Sequence, residues 1–211
     1  MGIERARVVE VHSPTSPTGR VGCGYLIRDR LVLTTAAVAG RSGPTSIRPA
    51  ATGVWRSCAL RWSDPSGEVA VLEVGEPAAL MLSPDRTRWG RITGLRPVAV
   101  VATGFPPGGT RSGWPRDPEQ FLGHVVPGEA GRPLVVTGNA GSRPPADGME
   151  GAALFAGAEL VAVLVAGGAG GLGAVPVSAL VAHPPFVALV GDAGTLPLTD
   201  VSTPAFGLRF L

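Results

Sequence analysis

The stretch GYLIRDRLVLTTAAVAG, residues 24–40, shows the pattern from which the fold is predicted. A short apolar run is followed by the polar turn RDR and then by the run LVLTTA, which is rich in leucine, valine and threonine. Two such runs around a polar turn are typical of paired β-strands. Because the segment shows no sustained helical periodicity, we predict strands here.

Similar runs recur in both directions from this stretch. They are ARVVEVH before it, and CALRW, EVAVLEV, PVAVVATGF, FLGHVV, PLVVTG, ALFAG, ELVAVLVA and LGAVPVSAL after it. Gly, Pro, Asp or Ser separates nearly every pair, and the chain contains 31 Gly and 21 Pro. Many short strands with regular turn residues predict an all-β fold, either a sandwich or barrels.

The chain divides into two halves at a mixed segment between Glu76 and Arg96. Pro77, Pro84 and Trp89 interrupt the strand pattern there, and a new series of strands begins at Pro97. We therefore predict domains at residues 1–95 and 96–190. The stretch PVSALVAHPPFVALVGD favours short helical turns, and residues 191–211 are expected to form a tail or linker.

Composition and charge argue against a disordered chain and against nucleic-acid binding. Hydrophobic residues make up 45% of the chain and charged residues 16%, which is typical of a globular protein. All 18 basic residues are Arg, they are spread singly, and the net charge is +2. This distribution does not indicate nucleic-acid binding.

The N-terminal sequence predicts a cytoplasmic location. The segment MGIERARVVEVHSP is followed by no apolar signal core, and no stretch of about 18 apolar residues suggests a membrane span. In a reducing compartment, Cys23 and Cys58 are expected to remain free thiols that behave as small buried hydrophobic residues.

Three segments, taken in order, resemble the catalytic framework of the trypsin-like serine proteases, especially the cytosolic bacterial members. GYLIRDRLVLTTAAVAG resembles the strand and LTAAH segment, with Ala37 in place of the general-base His. WSDPSGEVAVLEV resembles the strand that begins with the catalytic Asp, with Glu68 in its place. DGMEGAALFAGAELVAVLVA resembles the nucleophile loop, with Glu150 in place of Ser. The resemblance spans roughly residues 5–190 and implies two antiparallel β-barrels with a short C-terminal helical segment.

The resemblance also implies that the catalytic machinery is degenerate. Acyl transfer in this family needs a hydroxyl, an imidazole and a carboxylate, and Ala37 cannot accept a proton. We therefore expect a pseudoprotease rather than an enzyme, with residual hydrolase activity left open. Gly148, Met149 and Glu150 would form the remnant of an oxyanion pocket. A further hypothesis is that the Glu150 carboxylate folds back onto the N–H groups of residues 148 and 150, or reaches an Arg.

The same resemblance implies a role in binding, sensing or regulation. The expected ligand is a peptide or protein segment in the former substrate cleft, docked along an edge at Val165, Ala166 and Gly167. Fusion to an effector or ATPase domain is expected from the cytosolic bacterial members. Neither a cofactor nor a metal is implied.

Two alternatives remain open. One is an unorthodox hydrolase, for example one that uses Glu68 and Glu150 as a carboxylate pair. The other is a pure scaffold. His12, His124 and His183 do not lie where the family's base belongs, and no local signature makes Cys23 a thiol nucleophile.

Two further features have simple structural interpretations. The sequence GAGGLG, residues 168–173, matches a dinucleotide-binding pattern, but Pro176 argues against the helix that such a loop requires. A glycine hairpin between two strands is favoured. Trp114 lies in a segment expected near the rim of the cleft, where exposure would indicate a binding role.

Overall fold

The fold is described from a computed structural model. It covers residues 4–14, 20–40, 43–75, 87–105, 117–126, 134–138, 148–166, 172–192 and 194–202. Within these residues, strands predominate and the helices are short.

The first six strands form a closed antiparallel barrel with the order β1-β2-β3-β6-β5-β4. Their bounds are β1 Val8–Ser13, β2 Arg20–Leu26, β3 Leu31–Thr35, β4 Thr45–Pro49, β5 Arg56–Ser63 and β6 Val69–Val74. A 3-10 helix, Arg5–Arg7, precedes β1, and the one-turn helix α1, Ala36–Ala39, follows β3. The polar turn RDR lies between β2 and β3, as the sequence predicts.

A second six-stranded barrel has the order β11-β8-β9-β10-β13-β12 and closes through pairing of β11 with β12. Its strands are β8 Val98–Gly104, β9 Glu119–Val126, β10 Leu134–Gly138, β11 Ala153–Ala156, β12 Glu159–Ala166 and β13 Leu172–Pro176. Helices α2, Val177–Val181, and α3, Pro184–Val190, follow. The predicted all-β, two-barrel architecture with a short C-terminal helical segment is confirmed.

Two more strands extend the second sheet at its end. Strand β7, Arg88–Arg91, pairs in parallel with the beginning of β12, and β14, Leu198–Asp200, pairs in parallel with β7. The sheet to which β7 belongs therefore begins before residue 96, where the sequence places the domain boundary. Residues 194–202 likewise differ from the expected tail, because they contain a strand of this sheet.

Hydrogen bonds of Ser202 and Asp200 with Thr93 and Gly94 hold the C-terminal strand β14 in place. The Ser202 hydroxyl accepts from the backbone N–H groups of Thr93 at 2.6 Å and Gly94 at 2.8 Å. The Thr93 hydroxyl and the Ser202 N–H donate to the Asp200 carboxylate, which lowers the pKa of Asp200. These bonds explain why a segment rich in turn residues is nevertheless ordered beside β7.

The two barrels share one apolar interface. In β3 and β6, Val32 and Leu72 point into the first barrel, while their neighbours Leu33 and Val71 join the core of the second. Strands buried on both faces require continuous rather than alternating apolar runs, which is what LVL and VAVL supply. The interface also includes a T-shaped contact between the Tyr25 and Phe155 rings, with centroids 5.0 Å apart.

Burial changes the acidity of two side chains in or near this core. Desolvation raises the pKa of Tyr25 to about 12, and it also raises the pKa of the Cys58 thiol to about 12. Neither Cys23 nor Cys58 forms a disulfide bond, as expected, and Cys23 is fully buried.

We predict that stability falls at alkaline pH in a way that depends on Tyr25. In the unfolded chain, tyrosine loses its proton near pH 10, whereas folded Tyr25 keeps it until about pH 12. Between these values the folded state binds more protons, so the free energy of unfolding decreases as pH rises. Urea unfolding between pH 8 and 11 should show a shallower decline for Tyr25→Phe than for the wild type. Because Cys58 is present in both proteins, the difference isolates Tyr25; parallel curves would contradict the prediction.

The glycine-rich segment lies where a hairpin was expected. Strands β12 and β13 are antiparallel neighbours, with Ala166 opposite Leu172. This arrangement agrees with a hairpin rather than a dinucleotide loop, although residues 167–171 lie outside the described part of the chain.

The described residues include no helix with the length and hydrophobicity needed to cross a membrane.

Candidate active site in the cleft between the barrels

The loop Gly148–Gly151 enters the second barrel through two left-handed glycines. Gly148 has φ +96° and Gly151 has φ +88°, values that favour glycine. A Cβ atom at Gly151 would lie 2.1 Å from the carbonyl oxygen of Cys23. The glycines at positions 148 and 151 are thus favoured by the backbone path, independently of the residues between them.

This loop is anchored on both barrels. Gly151 N–H donates to the carbonyl oxygen of Leu164 at 2.9 Å, and Leu164 N–H donates to the carbonyl oxygen of Ala152, also at 2.9 Å. Because Gly151 and Ala152 together face the single residue Leu164, the pairing has the form of a β-bulge. On the other side, Cys23 N–H donates to the carbonyl oxygen of Glu150 at 2.7 Å.

Cys23 has a structural role beneath the loop. Its thiol donates to the carbonyl oxygen of Gly148 at 2.8 Å and accepts from Phe105 N–H at 3.1 Å. A fully buried thiol with both contacts is held in place rather than exposed for reaction, which agrees with the structural interpretation of this residue.

Glu68 is brought to the same place by the turn before β6. Its carbonyl oxygen accepts from Ala36 N–H at 3.0 Å, which ties it to the start of α1. The buried Asp64 shapes this turn, because its carboxylate accepts from the N–H groups of Glu68 at 2.8 Å and Val69 at 2.7 Å. Sequence reasoning missed Asp64, although Asp before Pro-Ser-Gly is a recognisable turn signal.

Thr35 connects the Ala37 segment to Glu150. Its hydroxyl oxygen caps α1 by accepting from Val38 N–H at 3.3 Å, and it lies 3.4 Å from Oε1 of Glu150. Ala37 is exposed in the first turn of this helix. The structure therefore brings together the segments that contain Ala37, Glu68 and Glu150.

The structure gives the Glu150 carboxylate a different partner from those expected. Within the described part of the chain its side chain contacts Thr35, and neither an Arg nor the N–H of residue 148 or 150 lies within hydrogen-bond distance. Gly148, Met149 and Glu150 do form the turn at this position, and Met149 is buried. Their role as an oxyanion pocket stays a prediction.

The predicted docking edge is partly visible at the end of β12. Leu164 directs both its backbone N–H and its C=O toward the β11 side. Since alternate residues of a strand direct these groups to opposite edges, Ala166 faces the same side as Leu164, and Val165 faces β13. Gly167 lies outside the described residues.

Other predicted residues lie elsewhere or cannot be placed. His12 contacts Trp55, His183 contacts Trp62, and His124 lies in β9. Trp114 is outside the described residues. Among the residues that the structure describes, no group of three or more His, Cys, Asp or Glu side chains could hold a metal ion.

Comparisons with known proteins find similarity in structure. No family model and no curated protein matches the chain. The chain is similar to a Glu endopeptidase in complex with MPD, at TM-score 0.66 and 15% identity, over 83% of this chain and 86% of that one. It is similar to the active form of the Rv3671c protease from M. tuberculosis, at TM-score 0.64 and 19% identity, over 94% and 87%. The MamO protease domain from Magnetospirillum magneticum matches at TM-score 0.60 and 18% identity, over 85% and 96%.

The fold is that of the trypsin-like serine proteases.

The expectation that the chain is not an enzyme is contradicted by these comparisons. The three solved structures named above are all described as proteases, one of them in an active form. The replacements at Ala37, Glu68 and Glu150 therefore do not by themselves establish a pseudoenzyme.

Proposed function

We propose that this trypsin-like domain binds an extended peptide segment in the cleft between its barrels, as an added strand beside Ala166. The observation that supports this most directly is the direction of the Ala166 backbone groups. These groups face the edge of β12 that pairs with β11, but the pairing does not extend as far as Ala166. No described strand pairs with Ala166 at that edge. A sheet edge of this kind can pair with an extended chain through main-chain hydrogen bonds.

The nucleophile-like loop creates this open edge. After the bulge at Gly151 and Ala152, the positive φ of Gly151 turns the chain out of the sheet. Glu150 directly precedes the residue that bonds to Leu164, and among the described residues no strand pairs with β12 beyond that point. We therefore expect a peptide paired with Ala166 to pass close to Glu150.

The side chains around the edge are suited to contact with such a peptide. Ala37 is exposed and small, so it leaves volume at the position where the resemblance places an imidazole. Glu68 and Glu150 are half-buried, and the segments that contain them are held against Ala36 and Thr35. We assign recognition of the peptide to these positions, which makes the domain a sensing or regulatory module for a partner segment.

Substitution of Ala166 tests the proposed mode of binding. Ala166→Pro removes the N–H that faces the open edge, while Ala166→Gly keeps it. We expect Ala166→Pro to weaken peptide affinity about tenfold, since one main-chain hydrogen bond contributes about 1 kcal/mol and the ring adds a steric cost. Ala166→Gly should change affinity less than threefold, on the order of 0.6 kcal/mol.

The measurement is fluorescence anisotropy with labelled octapeptide mixtures of extended, β-branched composition. Mass spectrometry of the recovered peptides shows that the affinity refers to intact ligand, and circular dichroism shows that each variant is folded. Equal affinities of folded Ala166→Pro and Ala166→Gly, or no binding by the wild type, would show that the edge is not the binding site.

A further inference from the structure

Glu68 and Glu150 differ from the other half-buried glutamates in having no positive partner among the residues that the structure describes. Five described glutamates are half-buried: Glu4, Glu68, Glu73, Glu150 and Glu159. Three form ion pairs, namely Glu4 with Arg7, Glu73 with Arg61 and Glu159 with Arg88. No arginine of the described residues lies within ion-pair distance of Glu68 or Glu150.

The lack of a described positive partner matters because both carboxylates are partly removed from water. A carboxylate that is partly removed from water loses hydration, and a hydrogen-bonded cation offsets that loss. Thr35 supplies Glu150 with one neutral hydroxyl at 3.4 Å, which is a long contact. Both carboxylates, which have no counter-ion among the described residues, lie on segments that the first barrel holds in place. Ala36 N–H bonds to the carbonyl oxygen of Glu68, and Cys23 N–H bonds to that of Glu150.

We infer that the segment bound in this cleft has a positive group, the guanidinium or ammonium of a basic side chain, placed against Glu150 with Glu68 nearby. The inference rests on the proposed function, because the open edge at Ala166 is what brings a peptide to Glu150. Gly151, the neighbour of Glu150, bonds to Leu164, which lies two residues from Ala166. Because a strand advances about 3.3 Å per residue, we expect a basic side chain within two positions of the residue beside Ala166 to come near the carboxylate. Glu150 is then the residue that determines specificity for charge.

The described ion pairs show how this chain treats other half-buried carboxylates. Arginine pairs with those of Glu4, Glu73 and Glu159. A basic ligand would supply the corresponding ionic interaction at Glu150 from outside.

The test uses octapeptide mixtures in which one position is fixed as Arg, Lys, Gln or Glu and the others are randomised. All are acetylated and amidated, so that a terminal amine is absent; a second set with free amines shows whether the α-ammonium can serve as the cation. Binding to the full chain is measured by anisotropy at low and high salt. The quantity compared is the ratio of affinity for the Arg set to that for the Gln set.

We expect this ratio to be about tenfold at the preferred position for the wild type and to fall toward one in Glu150→Gln. Asp29→Asn is the matched control: it removes the same charge from the exposed turn between β2 and β3, at the end of β3 away from Thr35, and should keep the ratio. High salt should reduce the ratio in the wild type and not in Glu150→Gln.

The outcomes separate the two proposals. If the Arg and Gln sets bind equally, or if Asp29→Asn lowers the ratio as much as Glu150→Gln, the charge inference is wrong while peptide binding stands. If only free-amine peptides show the preference, the cation is the α-ammonium and the side-chain assignment is wrong. If none of the sets binds, the proposed function itself fails.

Discussion

Replacing Glu10 by Ala is expected to lower the free energy of unfolding by about 4 kcal/mol. Glu10 in β1 lies directly opposite Arg48 in β4, and the two side chains form an ion pair that is 3% and 10% exposed. The Arg48 guanidinium also lies over the Trp55 ring, 5.3 Å from its centroid. Removal of the carboxylate leaves the buried Arg48 charge without this partner, which is the costly way to break such a pair.

The matched control is Glu73→Ala. Glu73 pairs with Arg61 at 2.9 Å, but those side chains are 37% and 54% exposed, so the cost should be at most about 1 kcal/mol. The double variant Glu10→Leu/Arg48→Met removes both buried charges and should recover most of the lost stability. Equilibrium unfolding in urea measures all three. A Glu10→Ala cost no greater than that of Glu73→Ala would show that the pair is solvated in solution.

Gly151→Ala is expected to have an effect of similar size, about 3–5 kcal/mol, or to prevent folding. Two costs combine: a left-handed backbone at φ +88°, worth about 1–2 kcal/mol for an L residue, and a Cβ placed 2.1 Å from backbone oxygen. The carbonyl of Cys23 cannot move aside easily, because it also accepts from the Thr34 hydroxyl at 2.6 Å. The barrels would have to separate at the loop, which would also disturb the cleft.

Gly53→Ala separates the two costs. Gly53 has φ +66°, and nothing lies within 4 Å of an added Cβ, so only the backbone penalty of about 1–2 kcal/mol applies. Thermal unfolding followed by circular dichroism gives both values. If the two substitutions cost the same, close packing of the loop against Cys23 does not contribute to stability.

The sequence pattern predicted the all-β architecture because each strand is specified by its own apolar run and by the turn residues that flank it. The runs LVLTT and VAVLEV lie in β3 and β6, and the turn between the first two runs is where RDR predicts it. The C-terminal segment was misjudged for the opposite reason. Residues 194–202 contain few apolar residues, and β14 is ordered by pairing with β7 and by the contacts of Ser202 with Thr93 and Gly94, which are 108 residues or more away in sequence.

The candidate site was predictable only in part. The order of three motifs predicted that Ala37, Glu68 and Glu150 share one cleft, and the structure brings their segments together through the backbone bond of Ala36 with Glu68 and the side-chain contact of Thr35 with Glu150. The conclusion drawn from their identities, that the chain is not an enzyme, was wrong in light of the proteases that share the fold. The family resemblance implied a docking edge at Val165, Ala166 and Gly167, but the contact of Thr35 with Glu150 was not recognisable, since it depends on which strand ends beside which.

The sequence by itself determined the strands, the turns between them and the all-β class, since apolar period and turn residues act over a few neighbours, while the choice of two barrels came from the family resemblance. Only the tertiary structure decided how GMEG is held between Cys23 and Leu164, which carboxylates obtain an arginine, and which backbone groups are left at an edge. Those features depend on long-range backbone pairing and on burial. Glu150 therefore acquires its environment from β2, β3 and β12, and not from its neighbours in the chain.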